Sequence, residues 1–222
     1  MDGSVTAGIA AARLAVVDCG RRMIADGLVV GTSGNVSARV ADLIAITPTG
    51  VPYDRITPGD IGIHRLDGTA VDAPLPPTSE LAMHMAVYAR TDARAVVHTH
   101  SVAATAVGTL VDELPPIHYQ IAMMGGPVRV APYATYGTPE LAANMAAALD
   151  GRSGCLLGNH GTITIGATLP EAYARAQYLE WLCEVWLRAR SAGQPRLLDD
   201  DEIARVAEKF KHYGPGATPD PR

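Results

Sequence analysis

Apolar positions recur at Ile9, Leu14, Val17 and Ile24 between Val5 and Asp26, a spacing that predicts an amphipathic helix stopped by Gly27. Short apolar runs at Val36 to Arg39 and Leu43 to Thr47 read as strands. The polar turns Gly31-Thr32-Ser33-Gly34 and Pro48-Thr49-Gly50 lie on either side of them. Ile61 to Leu66 is a further strand. Pro74-Leu75-Pro76-Pro77 is a stiff extended approach to a helix that Thr78 or Ser79 would N-cap, with Glu80 in its first turn and an end near Ala89. Ala95 to His100 is a β-rich run followed by an Ala-rich helix from Val102 to Val107. Val128 to Ala131 is another strand, and Thr138-Pro139-Glu140 opens a helix with proline at its first position. Cys155 to Leu157 and Thr162 to Ile165 are strands flanking an Asn159-His160-Gly161 turn. Helices from Leu169 to about Arg190 and from Asp200 to Lys211 follow, and Gly214 to Arg222 reads as a mobile tail. No repeat of fixed period is present. Strands that come as hairpin-like neighbours, without strict βαβ alternation, predict a central mixed or antiparallel sheet flanked by helices.

Composition narrows the function classes. The chain has 222 residues, suited to one large domain or two small ones, and no break suggests a linker. Apolar residues make up 48%, charged residues 18% and aromatics 5%, which describes an Ala- and Val-rich globular core. Net charge is -5 with no basic run, so nucleic acid and anionic membranes are not expected partners. Asp2 and the charges at Arg13, Asp18, Arg21 and Arg22 argue against a signal peptide, and no window is expected to span a bilayer. Cys19, Cys155 and Cys183 lack C-x-x-C spacing and are expected as buried free thiols, in keeping with a cytoplasmic protein.

The chemistry begins with His98 and His100, which at i, i+2 share one face of an extended strand. His160, from a distant turn, could complete a three-nitrogen site of the kind that holds a catalytic zinc ion with an open position. The pair also suits two core strand residues, and His160 a hydrogen-bonded turn histidine. Glu80 reads either as a first-turn acid favoured by the helix dipole or as a carboxylate beside a metal. The turns Thr32-Ser33-Gly34-Asn35, Thr47-Pro48-Thr49-Gly50 and Thr78-Ser79 offer hydroxyls and turn amides that together could cradle a phosphate without a basic residue. Neither a P-loop nor a G-x-G-x-x-G fingerprint is present.

Five segments occur in an order that resembles the class II zinc aldolases, the L-fuculose-1-phosphate aldolase and L-ribulose-5-phosphate 4-epimerase superfamily. They are Gly31-Thr32-Ser33-Gly34-Asn35-Val36-Ser37, Ile46-Thr47-Pro48-Thr49-Gly50, Thr78-Ser79-Glu80, His98-Thr99-His100 and Asn159-His160-Gly161. Ile117-His118-Tyr119, the stretch from Ala131 to Gly137 and the stretch from Glu208 to Gly214 look nearest its fuculose-phosphate branch. The resemblance implies a single α/β domain over 1–222, a three-layer α/β/α sandwich around a mainly antiparallel sheet, with a mobile tail from about 212. It implies one zinc ion, or another divalent metal, held by His98, His100 and His160, with Glu80 a ligand at rest and then the acid/base. Asn35, Thr49, Gly50, Thr78 and Ser79 would hold a substrate phosphate, with Thr32 and Gly34 shaping the loop. Tyr119 would reach a neighbouring subunit's site and handle the aldehyde-side proton, and Tyr213 would help close the site. The implied assembly is a homotetramer with sites at subunit interfaces.

The implied reaction is reversible retro-aldol cleavage of a phosphorylated ketose, of the L-fuculose 1-phosphate type, to dihydroxyacetone phosphate and an aldehyde such as L-lactaldehyde. Only two lysines, Lys209 and Lys211, are present, and none is needed for a Schiff base. The pattern departs in one place: Thr78-Ser79-Glu80 stands where the aldolases usually have Ser-Ser-Glu. Pentulose-5-phosphate 4-epimerases of the superfamily carry Asp at the place of Glu80. Decarboxylation of 3-oxo-tetronate 4-phosphate and dehydration of methylthioribulose 1-phosphate use the same metal–enolate logic. Adducin-like interaction domains of this fold lack the histidine set, so a non-enzymatic role is not expected.

Overall fold

The short extended runs pair into one sheet. In the computed structural model, which describes residues 3–213, the strands are β1 (Asn35–Val40), β2 (Leu43–Ile46), β3 (Gly62–Arg65), β4 (Ala70–Asp72), β5 (Ala95–Thr99), β6 (Glu113–Leu114), β7 (Val128–Ala131), β8 (Gly154–Leu157) and β9 (Gly161–Gly166). The tail expected beyond Tyr213 lies outside the described residues. The spatial order is β4-β3-β2-β1-β5-β9-β8-β7-β6. Every neighbouring pair is antiparallel except β7 and β8, which α4 (Pro139–Leu149) connects. That single crossover is the helix-linked connection a parallel pair needs.

Alternation along the strands sorts side chains into two helix layers. Val36, Ala38, Ala45, Ala95 and Val97 face a core shared with α1 (Gly3–Ala25) and α5 (Leu169–Ala192). Ile44, Ile46, Val96, Cys155, Leu157 and Ile163 face the opposite core, with α2 (Leu81–Arg90) and α4. A third cluster joins α3 (Val102–Gly108), α5 and α6 (Asp200–Phe210). The result is the expected helix–sheet–helix arrangement. Because Val96 faces the α2 and α4 layer, His98 two residues on faces it too. The site is therefore built at that end of the sheet.

Several expectations need correction. Along α1 the buried stripe is Ile9, Ala12, Val16, Val17, Cys19, Gly20 and Met23, while Leu14 and Ile24 are exposed. Small residues, Ala12, Cys19 and Gly20, carry three of its seven buried positions, so the large apolar ones marked it poorly. By length and composition alone α1 could cross a membrane, contrary to the expectation that no window would. Its alanines and valines raise its hydropathy, yet its buried face packs on the sheet. Helix α2 starts at Leu81, so neither Thr78 nor Ser79 is its N-cap; Glu80 occupies that position without a side-chain cap bond. Strands β4 and β6 and the 3₁₀ turn Tyr119–Met124 have no counterpart in the sequence reading. The cysteines are buried and unpaired, as expected.

Candidate metal centre and substrate pocket

Four side chains from three parts of the chain converge where β1, β5 and β9 lie side by side. Asn35 on β1 is in register with His98 on β5. His98 is fully buried, and His100 follows one residue past the strand end. His160 sits in the turn between β8 and β9, after Asn159 with a left-handed φ of 54°. Gly161 opens β9 so close to β5 that a Cβ there would lie 2.1 Å from the Thr99 carbonyl oxygen. No side chain fits at 161, and the close approach brings His160 onto His98 and His100. The three rings pack edge to face with centroids 4.8 to 4.9 Å apart.

Glu80 enters from the start of α2. Its Oε2 lies 2.9 Å from His98 Nε2, and its Oε1 lies 3.2 Å from His160 Nε2. The ligand atoms of Glu80, His98, His100 and His160 all lie within 4.8 Å of one another. The dipole-only reading of Glu80 does not account for this placement. Its carboxylate, 5% exposed as a residue, points into the histidine cluster rather than to solvent.

The donor set fits a divalent cation. His98 Nδ1 lies 2.7 Å from the Thr162 carbonyl oxygen and can only donate there, which leaves the Nε2 lone pair facing inward. That lone pair faces a carboxylate oxygen and, at 2.9 Å, His100 Nε2. Acceptors crowded in this way need a cation or protons between them. Glu80 Oε1, buried and without a hydrogen-bond partner, is the orphan such an ion would satisfy. Burial alone would raise the Glu80 carboxyl, but the positive charge that His98 and His160 present to it when protons stand in for an ion outweighs burial and holds the group well below the usual carboxylate range. Burial, helped by the charges of His98 and His160, pushes His100 down to about 3, so its ring is neutral and free to bind a metal. The Glu/His₃ cluster is consistent with a divalent metal.

The cluster opens onto a cavity of about 350 Å³. Thr32, Gly34, Asn35, Thr49, Gly50, Thr78 and Ser79 all line it, together with Glu80, His100 and His160. Two turns are laced together at its mouth: Thr49 N donates to the Pro76 carbonyl and Thr78 N to the Thr47 carbonyl. Gly34, at φ 74°, passes so close to His98 that a Cβ would meet the His98 carbonyl oxygen at 2.7 Å. No lysine or arginine lines the cavity among the described residues. Asn35 is more committed than the phosphate expectation suggests. Its Nδ2 donates to Glu80 Oε2 at 2.9 Å and its Oδ1 accepts from His84 at 2.6 Å, leaving one Nδ2 hydrogen available.

Tyr119 and Tyr213 do not line this cavity. They line a separate one of about 870 Å³ bounded by the 3₁₀ turn, α5 and α6. Tyr119 is 45% exposed and stacks near His118 and Phe210. Tyr213 is 82% exposed. Sequence reasoning missed four residues. Tyr133 and Tyr136 line the metal-side cavity, and His84 and Ser37 stand behind Glu80. Two patterns could have pointed to the latter: Asn35 and Ser37 alternate on one strand face, and Glu80, His84 and Tyr88 recur at i, i+4, i+8 along one helix stripe.

Residues 14–187 match the Class II Aldolase and Adducin N-terminal domain family. The chain is 44% identical over 202 residues to the L-fuculose phosphate aldolase of Escherichia coli strain K12, covering 90% of this chain and 94% of that protein. It is 40% identical over 202 residues to the 5-deoxy-D-ribulose 1-phosphate aldolase of Bacillus thuringiensis serovar kurstaki, covering 90% of this chain and 95% of that protein. A solved L-fuculose 1-phosphate aldolase superposes with a TM-score of 0.88 at 37% identity, over 90% of this chain and 96% of that one.

Proposed function

We propose that this chain, which belongs to the class II aldolase and adducin N-terminal domain family, cleaves a phosphorylated ketose reversibly into dihydroxyacetone phosphate and an aldehyde. The observation that carries this reading is the juxtaposition of the Glu80, His98, His100 and His160 ligand atoms with a hydroxyl- and turn-lined cavity of about 350 Å³. A carbon acid next to a carbonyl and a phosphate a few bonds away fit those two halves. His98, His100, His160 and Glu80 would hold one zinc ion. When bound, that ion supplies Lewis-acid polarisation of the ketose oxygens, so that the carbon beside the carbonyl tolerates negative charge.

The remaining work falls to this chain's own residues. Thr49, Gly50, Thr78 and Ser79, with the free Asn35 hydrogen, hold the phosphate, and Thr32 and Gly34 shape the loop that closes around it. The phosphate anchors the dihydroxyacetone half and fixes its reacting carbon beside Glu80. Glu80, a ligand only at rest, then uses Oε1, which no hydrogen bond claims, to take and return the proton on that carbon. Tyr119, exposed beside a separate cavity of its own chain, handles the aldehyde-side proton in the site of a second copy. Tyr213 helps close the site. This reading makes the protein a cytoplasmic homotetramer whose sites lie between subunits.

L-fuculose 1-phosphate and 5-deoxyribulose 1-phosphate are the substrates to compare first, because aldolases named for both resemble this chain over most of its length. The test is a coupled assay for dihydroxyacetone phosphate released from fuculose, ribulose, rhamnulose, 5-deoxyribulose and methylthioribulose 1-phosphates. Carbon dioxide release from 3-oxo-tetronate 4-phosphate is measured beside it. Turnover of one ketose 1-phosphate supports the reading; carbon dioxide release without any dihydroxyacetone phosphate overturns it.

A further inference from the structure

Behind Glu80 a file of buried polar groups crosses from α2 to β1 and back. Tyr88 OH and Ser37 Oγ are 2.7 Å apart, and Ser37 Oγ is 2.7 Å from His84 Nδ1. His84 Nε2 is 2.6 Å from Asn35 Oδ1, and Asn35 Nδ2 is 2.9 Å from Glu80 Oε2. Ser37 and His84 are fully buried, Asn35 is 3% exposed and Tyr88 5%. A polar file this deep persists only if every member is satisfied.

One starting point fixes every proton in it. The Asn35 amide presents Nδ2 to Glu80 Oε2, and an amide nitrogen can only donate. Asn35 Oδ1 then accepts, so His84 must donate from Nε2. A neutral His84 with its proton on Nε2 has a bare Nδ1, which accepts from the Ser37 hydroxyl. Ser37 in turn accepts from the Tyr88 hydroxyl. Reversing any one of these bonds sets two acceptors or two donors face to face.

We propose that His84, held in its Nε2-protonated tautomer by Ser37, is a positioning residue that locks the Asn35 amide and thereby anchors Glu80 Oε2. Glu80 Oε1 is then the oxygen that carries the proton. The carboxylate cannot present Oε2 to substrate while Asn35 holds it, and an amide free to rotate would let the two oxygens exchange roles. This rests on the acid/base reading of Glu80, while the tautomer follows from the hydrogen-bond geometry together with the burial that keeps the His84 ring neutral.

The test has a spectroscopic arm and a kinetic arm. In ring-¹⁵N-histidine-labelled protein, ¹⁵N–¹H correlation spectra should show His84 neutral, with the proton on Nε2. The opposite tautomer or a doubly protonated ring at neutral pH overturns the proposal, whatever the enzyme turns over. For kinetics, His84→Phe at wild-type metal content should lower kcat by about 10- to 100-fold, the usual effect of losing a supporting hydrogen bond behind a metal site. KM should change by less than about twofold, since only a group anchored for the reacting step is lost. His84→Gln places an N–H where Nε2 was and should recover most of the loss. Ser37→Ala, a smaller change that spares the fold, should lower kcat by about fivefold, the effect of one neutral hydrogen bond. A folded, metal-loaded His84→Phe with unchanged kcat overturns the proposal. So does His84→Gln no better than His84→Phe, and so does an unaffected Ser37→Ala. Failure to turn over any ketose phosphate counts against the functional reading, and the tautomer spectrum still decides how His84 holds Asn35.

Discussion

Replacing Gly161 by alanine isolates the close approach that assembles the histidines. The added Cβ would lie 2.1 Å from the Thr99 carbonyl oxygen and 3.2 Å from His100 Cδ2. Carbon and oxygen in contact across a sheet sit about 3.3 Å apart, so β5 and β9 must separate by about 1.2 Å. The obstructing atom is strand backbone, which cannot swing aside as a side chain would. Overpacking of this kind destabilises by about 1–3 kcal/mol, and a weakened ladder bond adds about 1 kcal/mol. A total of about 2–4 kcal/mol corresponds to a Tm lowered by about 5–15 °C in a chain of this length. The assay is denaturant and thermal unfolding with chelator present, so that metal binding does not contribute, with Gly59→Ala as control. A Cβ at 59 meets only Thr57 Oγ1, at 3.7 Å, and should be neutral. Shifting His100 and His160 by close to 1 Å should also lower turnover by about 100-fold. A Gly161→Ala protein within about 0.5 kcal/mol of wild type would refute the reasoning, since surface-like tolerance is incompatible with such a contact.

Stability should fall on acidification, in part through His84. Burial foremost, then the charge of His98 and against that of Glu80, pushes its ring from 6.5 down to about 3. Below about pH 6.5 the unfolded chain binds this proton and the folded chain does not, so stability is complete above that pH and is lost as pH falls toward 3. One such group accounts for about 2 kcal/mol between about pH 7 and pH 5, read from denaturant midpoints of the chelator-treated protein. His84→Gln should flatten that slope by about one proton; parallel slopes would show that His84 is protonated in the fold. Ser79→Ala should raise KM for the phosphorylated substrate by about 10-fold or more, the effect of one hydrogen bond to a charged group, with kcat little changed. An unaltered KM would remove Ser79 from the phosphate site.

The central sheet was legible because β2, β5, β8 and β9 are short runs buried on both faces, with β-branched residues making up most of β5 and β9. Edge strand β4 is exposed along its whole length and β6 is two residues long, so neither carries a hydrophobic signature. The start of α2 was misplaced because Thr78 and Ser79 are good caps in isolation. Here Thr78 is instead drawn to Thr47 by the bridge between the two turns, and its hydroxyl accepts from Glu80 N. The histidine set was visible as His-x-His plus a turn histidine, since i, i+2 spacing on a strand needs no tertiary knowledge. Ser37, His84 and Tyr88 were not, because each is an ordinary residue type. Their meaning comes from the register that sets β1 under α2.

The most direct test of the account is dihydroxyacetone phosphate release from L-fuculose 1-phosphate by wild type and by Glu80→Gln at matched metal occupancy. Three histidines remain to hold the ion in the variant, so metal content should stay near wild type while kcat falls by about 10²- to 10⁴-fold, the range for losing a general acid/base. A metal-loaded Glu80→Gln enzyme that turns over at the wild-type rate would contradict the account, because no proton carrier would then be needed at this position.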